Sequence, residues 1–122
     1  MPKILVVDDD RVIQQLIEVN LELEGYEVVK ASNGEEALAM FASERPDLVI
    51  LDVMMPKLNG KDVCRKLKSD PETAKTPIIF LSARAQEIDV EAGLELGADA
   101  YVTKPFDPST LLDTVSSLLG DV

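Results

Sequence analysis

An α/β fold built around a parallel β-sheet is predicted by three features of the sequence. Five short apolar runs recur along the chain: KILVV at 3–7, YEVVKA at 26–31, DLVIL at 47–51, PIIFL at 77–81 and AYVT at 100–103. Two of them contain LVIL and IIFL, which are continuously apolar rather than alternating, as expected of strands buried on both faces. Stretches with helical spacing separate the runs, and strict strand–helix alternation gives a parallel sheet with right-handed crossovers and helices on its faces.

Each helix has its own warrant. Residues 11–24 carry Ile13, Leu16, Ile17 and Leu21 at helical spacing, with Asp10 as N-cap and Gly25 as stop. Asn33 and Glu36 have the spacing of a capping box ahead of an apolar face made by Ala37, Leu38 and Phe41. The stretch NGKDVCRKLKS at 59–69 sets Val63 and Leu67 one turn apart, and SDPETAKTP at 69–77 reads as a surface loop. A fourth helix is expected over 86–96, with Ile88, Ala92 and Leu96 on one face and Gly97 at its end. The last helix opens with Asp107 as N-cap and Pro108 at its first position, and its stripe is Leu111, Leu112, Val115, Leu118 and Leu119. No repeat, low-complexity run or linker interrupts this order, so residues 1–122 are expected to form a single domain.

Composition narrows the chemistry. With 46% apolar and 29% charged residues the chain has the make-up of a globular domain able to bury a core. A net charge of −11 opposes a nonspecific grip on nucleic acid or anionic lipid, since phosphate binding needs clustered Lys and Arg. There is no histidine, which removes the usual zinc sites, the Ser-His-Asp triad and the Cys-His dyad. The single cysteine, Cys64, cannot form an internal disulfide, fits a reducing compartment and reads as a small core filler. No apolar run approaches the roughly 20 residues of a membrane helix, and the N-terminal run is too short for a signal peptide.

The stretch LVVDDD, from Leu5 to Asp10, poses a problem: an apolar run ends in three consecutive carboxylates. Like charges that close repel, and taking them out of water is costly unless something offsets it. In an open parallel sheet, ligands bind at the carboxyl edge, near the point where strand order reverses. The expected strands deliver Asp8 and Asp9, Asp52, Ser82 and Lys104 to that edge. Oxygen donors of this kind suit Mg²⁺, the lysine supplies a compact positive charge, and the serine hydroxyl can donate to an anion. Together they would cradle a phosphoryl group beside a metal ion. A carboxylate is a competent nucleophile for phosphoryl transfer, and Asp52, alone at the end of the central strand, is the natural one. Asp8 and Asp9 are the natural metal pair, and Asp10 is assigned to helix capping.

The motifs VVDDD, LVILDVMMPKLNG, FLSA and YVTKPF, in this order and spacing, cover essentially the whole chain. On them the sequence resembles the receiver domains of bacterial two-component response regulators, a family that includes the chemotaxis response regulators. The resemblance implies a flavodoxin-like, doubly wound five-stranded parallel sheet of order 2-1-3-4-5 with five helices. It implies that Asp52 accepts a phosphoryl group from a sensor histidine kinase or a histidine phosphotransfer protein. Mg²⁺, or Mn²⁺, would be held by Asp9, by Asp52, by the backbone carbonyl of Met54 and, through water, by Asp8. Ser82 and Lys104 would hold the phosphoryl oxygens. Ser82 and Tyr101 would then move inward and rearrange the surface formed by the fourth helix, the fifth strand and the last helix. Met54, Ala83 and Arg84 would tune the lifetime of the phosphoryl group. Pro56 and Gly60 would shape the loop after the phosphorylation site, and the Lys104–Pro105 peptide is expected to be cis.

By the same resemblance the domain is a cytoplasmic switch that acts on a downstream protein or effector domain. It would be no enzyme beyond its own phosphoryl transfer and slow autodephosphorylation. It would not contact nucleic acid or membrane itself, and there is room for a weak phosphorylation-dependent dimer. Two other readings fare worse. A haloacid-dehalogenase-like phosphatase needs an acid two residues after its nucleophile, where this chain has Met54, and a cap domain. A flavin-mononucleotide binder needs a hydroxyl-rich phosphate loop and aromatic residues to sandwich the ring, whereas DDDRV is acidic and the chain only 4% aromatic.

Overall fold

The computed structural model describes residues 2–52, 60–71, 73–82, 99–103 and 107–119. Five strands lie in it: β1 (Lys3–Val7), β2 (Glu27–Ala31), β3 (Leu48–Asp52), β4 (Ile78–Ser82) and β5 (Ala100–Thr103). Four helices are found among the described residues: α1 (Arg11–Leu23), α2 (Gly34–Glu44), α3 (Gly60–Ser69) and α4 (Pro108–Leu119). The helix expected over 86–96 lies outside the described residues. All pairings are parallel and the strand order is β2-β1-β3-β4-β5, as the resemblance implied.

The continuous apolar strands are explained by two cores, one on each face. Successive side chains of a strand point to opposite faces. Leu5, Val7, Val49, Leu51, Ile78 and Phe80 therefore pack with Ala37 and Phe41 of α2 and with Val63, Cys64 and Leu67 of α3. Their alternates Ile4, Val6, Leu48, Ile50, Ile79 and Leu81 pack with Ile17 and Leu21 of α1 and with Leu111 and Val115 of α4. Every residue of β3 is buried, so no position on the central strand can be polar unless it serves a site. The edge strand β2 instead carries exposed Glu27 and Lys30, charges that discourage further strand pairing.

Local chemistry fixes the helix ends. The Asp10 carboxylate accepts from Val12 N at 2.9 Å and Ile13 N at 3.4 Å, capping α1 as expected. α1 stops where Gly25 takes φ +91°, a conformation costly for other residues. Asn33 Oδ1 accepts from Glu36 N at 2.9 Å, while Glu36 Oε1 reaches back to Ser32 N at 3.1 Å, one residue before the cap. Asp107 caps α4 by accepting from Ser109 N at 2.9 Å. At the amino edge of the sheet, Lys68 Nζ donates to the carbonyls of Ala74 and Thr76 and to Asp99 Oδ2. The same Asp99 oxygen accepts from Ile78 N at 2.9 Å, which ties the end of α3 to the starts of β4 and β5.

The apolar residues that mark the α1 pattern do not all face the sheet. Leu16 is 45% exposed, and with Val12, Val19 and Leu23 it forms an apolar stripe on the outer side of α1. The face turned to the sheet is instead Gln14, Ile17 and Leu21. The Leu16 side chain lies one residue, about 100° of helix rotation, from Ile17, and that step carries it out of the core.

Phe80 is among the largest fully buried side chains and lies in the sheet itself. Phe80→Ala is expected to lower the unfolding free energy by about 3–5 kcal/mol. Leu23→Ala on the outer face of α1 should change it by no more than ~0.5 kcal/mol. Urea unfolding followed by circular dichroism measures both.

Candidate functional site

The strand order reverses between β1 and β3, because β1 continues to β2 on one side while β3 lies on its other side. That places the β1–α1 turn and the last residue of β3 next to each other at the carboxyl edge. The register pairs Val7 with Leu51, so Asp8 and Asp52 stand at the same level of adjacent strands. Carboxylate oxygens of Asp8, Asp9 and Asp52 lie within 4.8 Å of one another. Asp8 is fully buried and Asp52 is 4% exposed, whereas Asp9 is open to solvent. This is a deep acidic floor with one accessible wall.

The turn that presents the acids is held tightly. Asp8 Oδ1 accepts from Asp10 N at 2.9 Å, and Asp8 N donates to Ala31 O at 3.2 Å. Beneath it, Gln14 Nε2 donates to Asp8 O at 2.5 Å and to Ala31 O at 2.7 Å, with Ser32 Oγ at 3.3 Å. The loops after β1 and β2 are thereby joined through one buried amide.

Charge decides what such a cluster can do. Two unit charges 4 Å apart repel by roughly 1 kcal/mol in water and ~4 kcal/mol at an effective dielectric of 20. Three carboxylates at this spacing favour a divalent cation. The donors are oxygen only, with no thiolate or imidazole among them, which fits Mg²⁺ or Mn²⁺ rather than zinc. Asp9 is exposed to solvent, which suits Mg²⁺, an ion that keeps several of its waters.

The other expected site residues divide into two groups. Ser82 is the last residue of β4; its neighbour Leu81 pairs with Asp52, so its backbone stands at the same edge. Tyr101 is in β5, half-buried against the core shared with α2 and α3. Gly60 is the first residue of α3. Lys104, Met54, Ala83, Arg84, Pro56 and Pro105, with the expected cis peptide, lie outside the described residues. Gln14 was not anticipated. The signal for it was present, because positions 14, 17 and 21 share the spacing of a buried helical seam that a polar residue would enter only with partners.

The model of the response regulator receiver domain matches residues 4–116. The chain belongs to the response regulator receiver family. Among curated relatives, the alkaline phosphatase synthesis transcriptional regulatory protein PhoP of Bacillus subtilis is 50% identical over 117 residues, covering 96% of this chain and 48% of its own. The DNA-binding dual master transcriptional regulator RpaA of Synechocystis is 44% identical over 119 residues, covering 98% of this chain and 49% of its own. The receiver thus spans about half the length of the curated relatives it matches. Among solved structures, the Vibrio cholerae chemotaxis protein CheY4 superposes with a TM-score of 0.90 at 36% identity, covering 97% of this chain and 98% of that one. The receiver domain of a Francisella response regulator gives 0.89 at 37% identity, covering 98% of each chain. Response regulators are signalling proteins, and this chain is a receiver domain of that class. No helix among the described residues of this receiver is long and apolar enough to cross a membrane.

Cys64 is buried on α3, on the face of the sheet shared with α2. Burial pushes its thiol up to about 11, partly offset by Lys68. A raised value keeps the thiol protonated through neutral pH. The associated stability is complete below pH ~9 and is lost as pH rises towards the folded value. Ellman's reagent at pH 8 is therefore expected to label native receiver only at the rate of unfolding, and rapid labelling of native protein would contradict this.

Proposed function

We propose that this receiver is a phosphorylation-dependent switch in which Asp52 takes a phosphoryl group from a phosphohistidine of a sensor histidine kinase or histidine phosphotransfer protein. The observation that carries the reading is the convergence of Asp8, Asp9 and Asp52 at the switch point of the sheet. Asp52 ends the central, fully buried strand, so its position is fixed by the core itself. An oxygen of its carboxylate attacks phosphorus in line, the P–N bond breaks, and the departing imidazole takes up a proton. Asp9, Asp52, the Met54 carbonyl and, through water, Asp8 would hold Mg²⁺ or Mn²⁺. When bound, the cation neutralises the acids and the phosphoryl oxygens.

In this reading Ser82 and Lys104 receive the phosphoryl oxygens, and new charge-assisted contacts there draw Ser82 and then Tyr101 inward. Tyr101 is half-buried in β5, against the core shared with α2 and α3. The result is a population shift at the surface beside β5 and α4, which a downstream protein or effector domain reads. Met54, Ala83 and Arg84 would set the lifetime of the acyl phosphate, and Pro56 and Gly60 would shape the loop beyond Asp52. The curated relatives PhoP and RpaA are named as transcriptional regulators, so the proposed output is transcription, with this chain as the receiving part. Its charge of −11 argues against contact with nucleic acid by the receiver itself. We assign it to the cytoplasm and leave a weak phosphorylation-dependent dimer as one route of output.

The donor needs a surface beside the acids. The apolar stripe of Val12, Leu16, Val19 and Leu23 begins two residues after Asp10, at heptad spacing, and suits a partner helix.

Beryllofluoride with Mg²⁺ mimics the acyl phosphate. It should shift amide resonances across the sheet's carboxyl edge in wild type and leave Asp52→Asn unchanged; an indifferent wild type would overturn the switch. Asp52→Asn should also raise the melting temperature of the metal-free protein by about 4 °C, the shift that ~1 kcal/mol gives a domain of this size. A lowered melting temperature would contradict the crowding of acids.

A further inference from the structure

The structure assigns to Gln14 the role of a positioning residue for the cation: its buried side-chain amide locks the peptide between Asp8 and Asp9 in the geometry the acids need. The inference rests on the proposed cation site and concerns a residue that touches neither the ion nor the phosphoryl group.

Gln14 is 6% exposed and shares its helical face with Ile17 and Leu21. A leucine or methionine would fill that seam as well and would avoid the desolvation of an amide. The amide is retained in a position where both of its hydrogens find carbonyl acceptors, Asp8 O at 2.5 Å and Ala31 O at 2.7 Å. Because both acceptors are carbonyl oxygens, only the nitrogen end can face them, and the orientation of the side chain is forced. Ala31 O also accepts from Asp8 N, so both of its lone pairs are engaged by the turn and its support.

The consequence falls on Asp9. Asp8 O belongs to the peptide plane that precedes the Asp9 Cα. Fixing that plane restricts ψ of residue 8 and φ of residue 9, and with them the direction of the Asp9 side chain. Asp9 is exposed, and its carboxylate makes none of the side-chain hydrogen bonds or ion pairs found among the described residues. Asp8 is oriented by its own bond from Asp10 N, and Asp52 by a fully buried strand. Asp9 therefore depends on its backbone, and its backbone depends on Gln14. Without the tie, Asp9 samples more directions, and a cation must order it on binding.

The test is Mn²⁺ binding to the full chain, followed by electron paramagnetic resonance, with unfolding by urea on the same samples. Gln14→Met keeps volume and removes the donors. It should weaken Mn²⁺ by about tenfold, the lower end of what supporting partners of ligands contribute. In metal-free protein the amide resonances of Asp9 and Asp10 should shift or broaden while those of β3 stay in place. Ile17→Val, one turn along the same buried face, serves as the stability control and should leave Mn²⁺ affinity unchanged. If Gln14→Met does not fold, Gln14→Ala carries the same expectation. Equal Mn²⁺ affinity in wild type and the Gln14 variant, or an equal loss in Ile17→Val, overturns the positioning role. A wild type that binds no Mn²⁺, or binds it no better than Asp9→Asn, overturns the cation site itself and so distinguishes the two failures.

Discussion

Mutual repulsion among carboxylates brought to one edge of a parallel sheet is the constraint on which the rest of this receiver depends. Asp8, Asp9 and Asp52 converge within 4.8 Å because β1 and β3 are adjacent and their registers align. No local propensity asks for this. The two hydrophobic cores impose it, and the acids remain close because the strands that carry them cannot separate without exposing Leu5, Val7, Val49 and Leu51 to water. Roughly 1.5–3 kcal/mol for each such side chain outweighs repulsion of a few kcal/mol. The fold thus holds mutually repelling acids in place, and a divalent cation is what can relieve that repulsion.

Two kinds of support keep that cluster ordered. Asp52 is fixed by a strand buried along its whole length, so its placement is a consequence of packing. The acids after β1 lie on a turn, where packing cannot act, and hydrogen bonds take over. Asp10 caps α1, Asp8 accepts from the Asp10 amide, and Gln14 joins the turn to the end of β2. A turn so constrained can present side chains with the precision expected of regular structure, while Asp9 stays open to solvent.

How much of this was legible in the letters follows from which forces act locally. The strands and caps could be read because LVIL, IIFL, Asp10, Asn33 and Asp107 act on their immediate neighbours. Asp52 could be nominated because a charge that ends a buried apolar run is costly to desolvate unless a site makes use of it. The exposure of Leu16 could not be read, because a helix's apolar residues outnumber its core-facing positions and letters do not say which side of α1 meets the sheet. Gln14 could have been flagged by its place in the 14, 17, 21 seam, but its role could not, because its partners are backbone carbonyls after β1 and at the end of β2, and backbone groups leave no trace in a sequence. The strand order came from the resemblance alone, since spacing does not determine which side of β1 takes β3.

The central claim is that this acidic cluster makes Asp52 a cation-dependent phosphoacceptor. It is tested most directly by incubating the protein with acetyl phosphate, trapping with borohydride, and mapping the resulting homoserine by mass spectrometry. The account predicts homoserine at position 52 when Mg²⁺ is present and almost none when it is chelated. Homoserine at another carboxylate, or equal trapping at position 52 without a divalent ion, would contradict it.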